Sequence, residues 1–126
     1  MRDTDRALVT AATAVVRLRC RPGRHPDAAA ARTADGRLFT AVGVEHVTGG
    51  VCAEVVLLGT AATQGVTELE TIVAMDAGRR EIMTPCARCR QILAEHQPAI
   101  RVIVGPAAEP RVVPLAELPP PEPVTG

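Results

Sequence analysis

The chain has no lysine, no tryptophan and no tyrosine, and Phe39 is its only aromatic residue. All 14 basic residues are arginine, and they balance 14 acidic residues to a net charge of zero. These absences weigh against a polynucleotide partner, which needs a basic groove and aromatic surfaces on which bases stack. A small-molecule ligand suits the composition better. No apolar run approaches the length that spans a bilayer, and no charged-then-apolar leader opens the chain. The expectation is a soluble cytoplasmic protein with no membrane partner. At 126 residues and 47% hydrophobic composition the chain can bury a real core. One domain is expected over residues 1–118. A proline-rich tail follows over 119–126, with too little apolar surface to pack a core of its own, and is expected to be disordered.

What is present is four cysteines at telling positions. In a secreted chain they could form two disulfides; in a cytosolic one their spacing points to metal or redox chemistry. Cys52-Ala53-Glu54 reads C-x-E. Thirty residues later Pro85-Cys86-Ala87-Arg88-Cys89 reads P-C-x-x-C. Cys20 lies far from both and reads as an ordinary core or half-buried thiol.

Around these motifs the pattern alternates between helix and strand. Leu8, Ala11, Ala12, Val15 and Val16 recur at helical spacing over 4–19, and Arg21-Pro22-Gly23 ends that helix. Asp35-Gly36 is a hairpin signal and 37–45 reads as a strand, so 28–34 is taken as its partner strand although its alanines favour helix. Thr48-Gly49-Gly50 precedes a helix over 51–64. That helix is apolar almost all round, which suits a protein interior or a subunit interface. A strand over 70–75 and a polar loop over 76–81 come next. Ile82-Met83-Thr84 then leads to a helix over 87–96, which Pro98 stops. Short strands at 101–104 and 111–113 complete the order. The fold class this predicts is α/β, one sheet with helices on its faces.

Three thiolates can hold one zinc ion per subunit and leave its fourth tetrahedral position open for water, which distinguishes a catalytic from a structural site. Cys86 and Cys89, three apart at a helix start, share a face. Pro85 suits the first turn, and the helix N-terminus favours thiolate over thiol. Cys52 has the same advantage on its own helix. Glu54 leaves the helix in another direction from Cys52, poorly placed as a ligand and well placed to move protons beside the pocket. A carboxylate on a buried helix is costly unless paired or used, and a plain salt bridge is the bland alternative. Three thiolates outweigh the metal's charge, so nearby cations should compensate; Arg88 is preferred, with Arg80 and Arg90 as further candidates, and each is otherwise a solvated surface charge. This constellation matches the signature of zinc deaminases. A redox C-x-x-C would leave Cys52 and Glu54 without a role, and a closed four-cysteine site would need Cys20. A catalytically idle zinc-binding module for assembly remains a further reading.

The chain resembles the cytidine deaminase family, most of all its blasticidin S deaminase branch, from about Asp35 to about Leu118. Asp35-Gly36-Arg37-Leu38-Phe39-Thr40 resembles that branch's D-G-R-I-F-T. The stretch from His46 to Glu54 resembles H-F-T-G-G-P-C-A-E. Val56 to Ala62 resembles V-V-L-G-T-A-A, and Pro85 to Gln91 resembles P-C-G-R-C-R-Q. The resemblance implies a three-layer α/β/α domain with a five-stranded mixed sheet and a homotetramer. It implies zinc on Cys52, Cys86 and Cys89, with Glu54 as proton shuttle. It also favours strand for 28–34. The departures concern substrate. Nucleoside deaminases of the family carry N-x-E where this chain has Gly43-Val44-Glu45, so the Asn that grips ribose is missing and the Glu is kept. The blasticidin S branch has the Asn but a Tyr in the third place. His25-Pro26 falls where cytidine deaminases have Phe-Pro, making His25 a candidate to stack on the base or simply a loop histidine. Val55 stands where those enzymes have Arg, which shifts charge compensation toward Arg80 and Arg88. The implied reaction is hydrolytic removal of the 4-amino group of a cytosine nucleoside, with blasticidin S or a related antibiotic ahead of cytidine or deoxycytidine.

Overall fold

The computed structural model describes residues 1–118; the proline-rich segment lies outside the described residues. Helix α1 spans Asp3–Arg19, with Asp3 and Asp5 in its first turn and Arg17 and Arg19 in its last. That distribution of charge opposes the helix dipole at both ends. Strands β1 (Asp27–Arg32) and β2 (Leu38–Val42) form an antiparallel hairpin. Helix α2 covers Ala53–Thr63 and leads to β3 (Thr71–Asp76). A two-residue β4 (Ile82–Met83) precedes α3 (Ala87–His96), and β5 (Arg101–Val104) and β6 (Arg111–Pro114) close the sheet.

The strand order is β2-β1-β3-β5-β6, parallel only between β3 and β5. The sheet is therefore mixed, as expected, with one strand more than five. The extra strand is β4: Met83 and Ile82 pair with Ala74 and Met75, on the β3 edge whose other end pairs with β5. Two residues carry too little period to announce a strand.

Side-chain alternation along the strands assigns the two layers. Ala28, Ala30, Val73, Met75 and Ile103 face α1 and meet Leu8, Ala12 and Val16. Ala29, Ala31, Ile72, Ala74, Val102 and Val104 face the other helices and meet Ala53, Leu57, Ala61 and Leu93. Ala28 to Ala31 are wholly buried, covered on both faces. This explains why a run with poor strand propensity is a central strand: small side chains let helices approach from both sides, and packing overrides propensity.

The second hairpin strand ends earlier than the pattern suggested. At Gly43 the N–H still bonds the Asp27 carbonyl, but Val44 pairs instead with Val51. Gly50 makes that pairing possible, since a Cβ there would lie 2.1 Å from the Val44 carbonyl oxygen. The pairing also holds Val51 in extended backbone, so α2 starts at Ala53.

Arg32 fastens α1 to the sheet. Its guanidinium donates to the Thr4 carbonyl at 2.7 Å, to Asp5 at 3.0 Å and to Glu70 at 2.8 Å. Asp5 is 1% exposed. Burial raises its carboxyl, but the Arg32 hydrogen bond and the Arg2 charge outweigh this and leave it below its ordinary value. The Arg32 hydrogen bond likewise holds Glu70 down. Arg32→Met should destabilise the fold by up to about 3–5 kcal/mol, because it leaves the buried Asp5 carboxylate with only the exposed Arg2 at 3.5 Å. Both carboxyls have depressed folded values, so their contribution is present above the unfolded value and is lost as pH falls through the folded one. Urea midpoints should show wild type and variant converging progressively as the pH falls from about 5 toward about 1. A constant difference across that range would refute the assignment.

Candidate active site

The site lies where the N-termini of α2 and α3 meet the ends of β1 and β2. Cys52 and Cys86 are the residues just before those helices, both with extended backbone. The Cys86 thiol accepts from the Cys89 N–H at 3.4 Å. The three sulfurs of Cys52, Cys86 and Cys89 all lie within 4.8 Å of one another. Sulfurs around a tetrahedral zinc at about 2.3 Å stand about 3.8 Å apart, so the donor set fits that ion. Cys89 is buried, Cys52 half-buried and Cys86 exposed, so the cluster reaches the protein surface.

Burial pushes the Cys52 thiol up to about 11, opposed by its hydrogen bond with Cys89 and reinforced by the Glu54 charge. Burial and the Glu54 charge drive Cys89 up as well. A divalent cation among the sulfurs reverses that preference, since a coordinating thiol loses its proton outright.

Glu54 is 2% exposed, and one of its carboxylate oxygens has no hydrogen-bond partner among the described residues. Burial pushes its carboxyl up to about 7; its own N–H favours the anion and the Asp27 charge opposes it. The salt bridge offered as its bland role does not form: no cation pairs with it among the described residues. A carboxyl poised near neutrality can both take and return a proton.

Asp27 is the site residue that sequence reasoning missed. It is buried at the start of β1, and one oxygen accepts from the Ala53 N–H at 3.3 Å. It thereby caps α2 from outside the helix. Its carboxylate, the Cys52 sulfur and the Glu54 carboxylate form a second group within 4.8 Å, sharing only Cys52 with the first. The sole signal in the sequence is a lone charge at the head of an alanine run.

The remaining candidates are spread out. Glu45 is exposed and borders two depressions. One, of about 380 Å³, is lined by Asp27, Glu45, His46, Cys52 and Asp76, within the range of small-ligand pockets. Gly43 is buried behind Asp27. His25 borders the other depression, and its Nδ1 lies 2.9 Å from the Gly43 carbonyl. A carbonyl only accepts, so Nδ1 carries the proton. Arg80 is exposed on that second depression, in left-handed backbone at φ 56°. Arg88 is exposed on α3. Arg90 is half-buried beside the motif and donates from Nε to the Pro85 carbonyl at 2.9 Å. Cys20 stands apart from the cluster, with its thiol 3.6 Å from the Asp27 carbonyl oxygen.

No protein-family model matches the chain. It is 32% identical over 109 residues to a blasticidin-S deaminase of Bacillus cereus, covering 79% of this chain and 78% of that one. A cytidine deaminase of Mycobacterium tuberculosis (strain CDC 1551 / Oshkosh) is 39% identical over 70 residues, 54% of this chain and 52% of the relative. Among solved structures, cytidine deaminase from Burkholderia pseudomallei superposes with a TM-score of 0.75 at 26% identity, covering 93% of this chain and 95% of that one. That from Mycobacterium leprae gives 0.73 at 27%, covering 93% and 97%. Fold and relatives together define a hydrolytic deaminase. The chain belongs to the cytidine deaminase family.

Proposed function

We propose that this protein is a zinc-dependent aminohydrolase of cytosine nucleosides, acting on blasticidin S or a related cytosine antibiotic ahead of cytidine. The observation that carries the reading is the convergence of three sulfurs within 4.8 Å beside a buried glutamate with an unpartnered oxygen. Cys52, Cys86 and Cys89 would hold the ion. Bound there, zinc supplies Lewis acidity that makes water a competent nucleophile near neutral pH. Glu54 takes the proton that the attacking water gives up and passes it to N3 of the ring as C4 becomes tetrahedral. A second proton, from the new C4 hydroxyl, travels by the same carboxyl to the exocyclic amine. The C4–N bond then breaks, and uracil nucleoside and ammonia leave. The helix N-termini and the candidate cations, Arg88 before Arg80 and Arg90, would offset the excess negative charge of three thiolates.

The preference for blasticidin S rests on the longer match to a blasticidin-S deaminase; Gly43 departs from both branches alike. Salvage of cytidine or deoxycytidine is the second reading, favoured by Glu45 at the pocket rim. A homotetramer suits the half-buried Val55, Val56 and Leu58 of α2 and the nearby Val44 and Val51, 50% and 38% exposed. No helix among the described residues is long and apolar enough to cross a membrane; the cytoplasm is the proposed compartment.

The test is an ultraviolet deamination assay of zinc-loaded protein on blasticidin S, cytidine and deoxycytidine in parallel. Blasticidin S should give the highest kcat/KM, by about 10-fold or more, as expected where a site is built for one substrate's polar groups. A cytidine preference would move the assignment to salvage. No turnover of any of the three would remove the enzyme reading.

A further inference from the structure

The oxygen of Asp27 that does not cap α2 has no partner among the described residues, although the residue is only 3% exposed. Capping accounts for Oδ2, which accepts from Ala53. It does not account for Oδ1, and an unpaired buried acceptor is costly. The position of that oxygen is informative. A Cβ built on Gly43 would stand 1.9 Å from it. Asp27 Oδ1 thus fills the space into which a side chain at position 43 would project. Asp27 also lines the same pocket as Glu45 and Cys52.

We infer that Asp27 is a substrate-specificity residue: its Oδ1 accepts a hydrogen bond from a hydroxyl on the sugar of the nucleoside, in place of a side chain at position 43. This rests on the cytosine-nucleoside reading above. The glycine and the aspartate are then a coupled pair. Gly43 leaves room for the carboxylate, and the carboxylate supplies the polar group that Gly43 lacks.

Asp27→Asn separates this from a purely structural role. The amide oxygen can keep the Ala53 bond, while the amide nitrogen replaces the free acceptor with a donor. The readout is inhibition by cytidine and by 2′,3′-dideoxycytidine of turnover on whichever cytosine nucleoside the wild type uses best, with zinc content and Tm measured alongside. Wild type should bind cytidine about 10- to 100-fold more tightly than the dideoxy analogue, the usual range for a hydrogen bond to a charged group. Asp27→Asn should lower that ratio several-fold with zinc and Tm retained, because a neutral amide bonds a hydroxyl more weakly than a carboxylate does. A second arm compares Asp27→Ala with Asp27→Ala/Gly43→Asn. Removing the carboxylate clears the 1.9 Å obstruction, leaving the Val51 carbonyl oxygen at 3.1 Å. The double variant should regain discrimination that Asp27→Ala lacks.

A ratio near unity in wild type, or one unchanged in Asp27→Asn, overturns the inference and leaves the deaminase reading standing. If Asp27→Asn loses zinc or fails to fold, the second arm is decisive, and a double variant no better than Asp27→Ala overturns it. Wild type inactive on every cytosine nucleoside removes the functional reading itself, and this inference with it.

Discussion

Glu54→Gln should lower kcat by about 1,000-fold or more while the protein stays folded and keeps its metal, since positioned proton transfer contributes about 100- to 10,000-fold on its own and here one carboxyl would serve several transfers. The amide has nearly the same shape but cannot relay a proton. Folding should not suffer. The carboxylate is 2% exposed with an oxygen lacking a partner, so its charge is a burden that burial already resists. Tm of the variant is therefore expected to equal or exceed that of the wild type. Stopped-flow single turnover, zinc analysis and a thermal melt on one preparation check all three points. Zinc retained with kcat within about 10-fold of wild type would remove Glu54 from the chemistry.

The second large effect concerns the metal. Cys89→Ser should weaken zinc binding by more than about 100-fold, because changes merely adjacent to a metal's ligands cost about 10- to 100-fold. Cys89 is 1% exposed and its sulfur lies within 4.8 Å of both other sulfurs, so no exposed group can take its place. Turnover should fall with metal occupancy. Cys20→Ser is the control: its thiol faces the Asp27 carbonyl rather than the cluster, so zinc stoichiometry should not change. Competition with a chromophoric chelator reads both variants. Full zinc in Cys89→Ser, or loss of zinc in Cys20→Ser, would contradict the ligand set.

Much of the frame was legible. The apolar spacing of α1 survives in its buried face, Leu8, Ala12 and Val16. Pro85 and Pro98 bracket α3, whose observed span is the expected one, Ala87–His96. Both depend on local physics: helical period, proline geometry and the polarity of helix ends. The two cysteine motifs were legible for the same reason, since each is a short local pattern at a helix start. Their resemblance to a family then joined them across thirty residues.

Other features had no local signature. The alanines of β1 are a strand only because helices press on both faces, which no propensity within the segment encodes. Strand β4 exists because β3 offers an unpaired stretch of edge. Arg32 meets Asp5 and Glu70 across separations of 27 and 38 residues, and Asp27 meets Ala53 across 26.

The sequence by itself determined which atoms are available for chemistry: three thiols, one glutamate, and the helix starts that present them. Only the tertiary structure decided what surrounds them. It brought Asp27 against Gly43 and left Glu54 buried with no cation paired to it among the described residues. The physical reason is that ligand identity is a property of single residues, whereas burial, pairing and the space a side chain may occupy are properties of neighbours that the chain supplies from elsewhere.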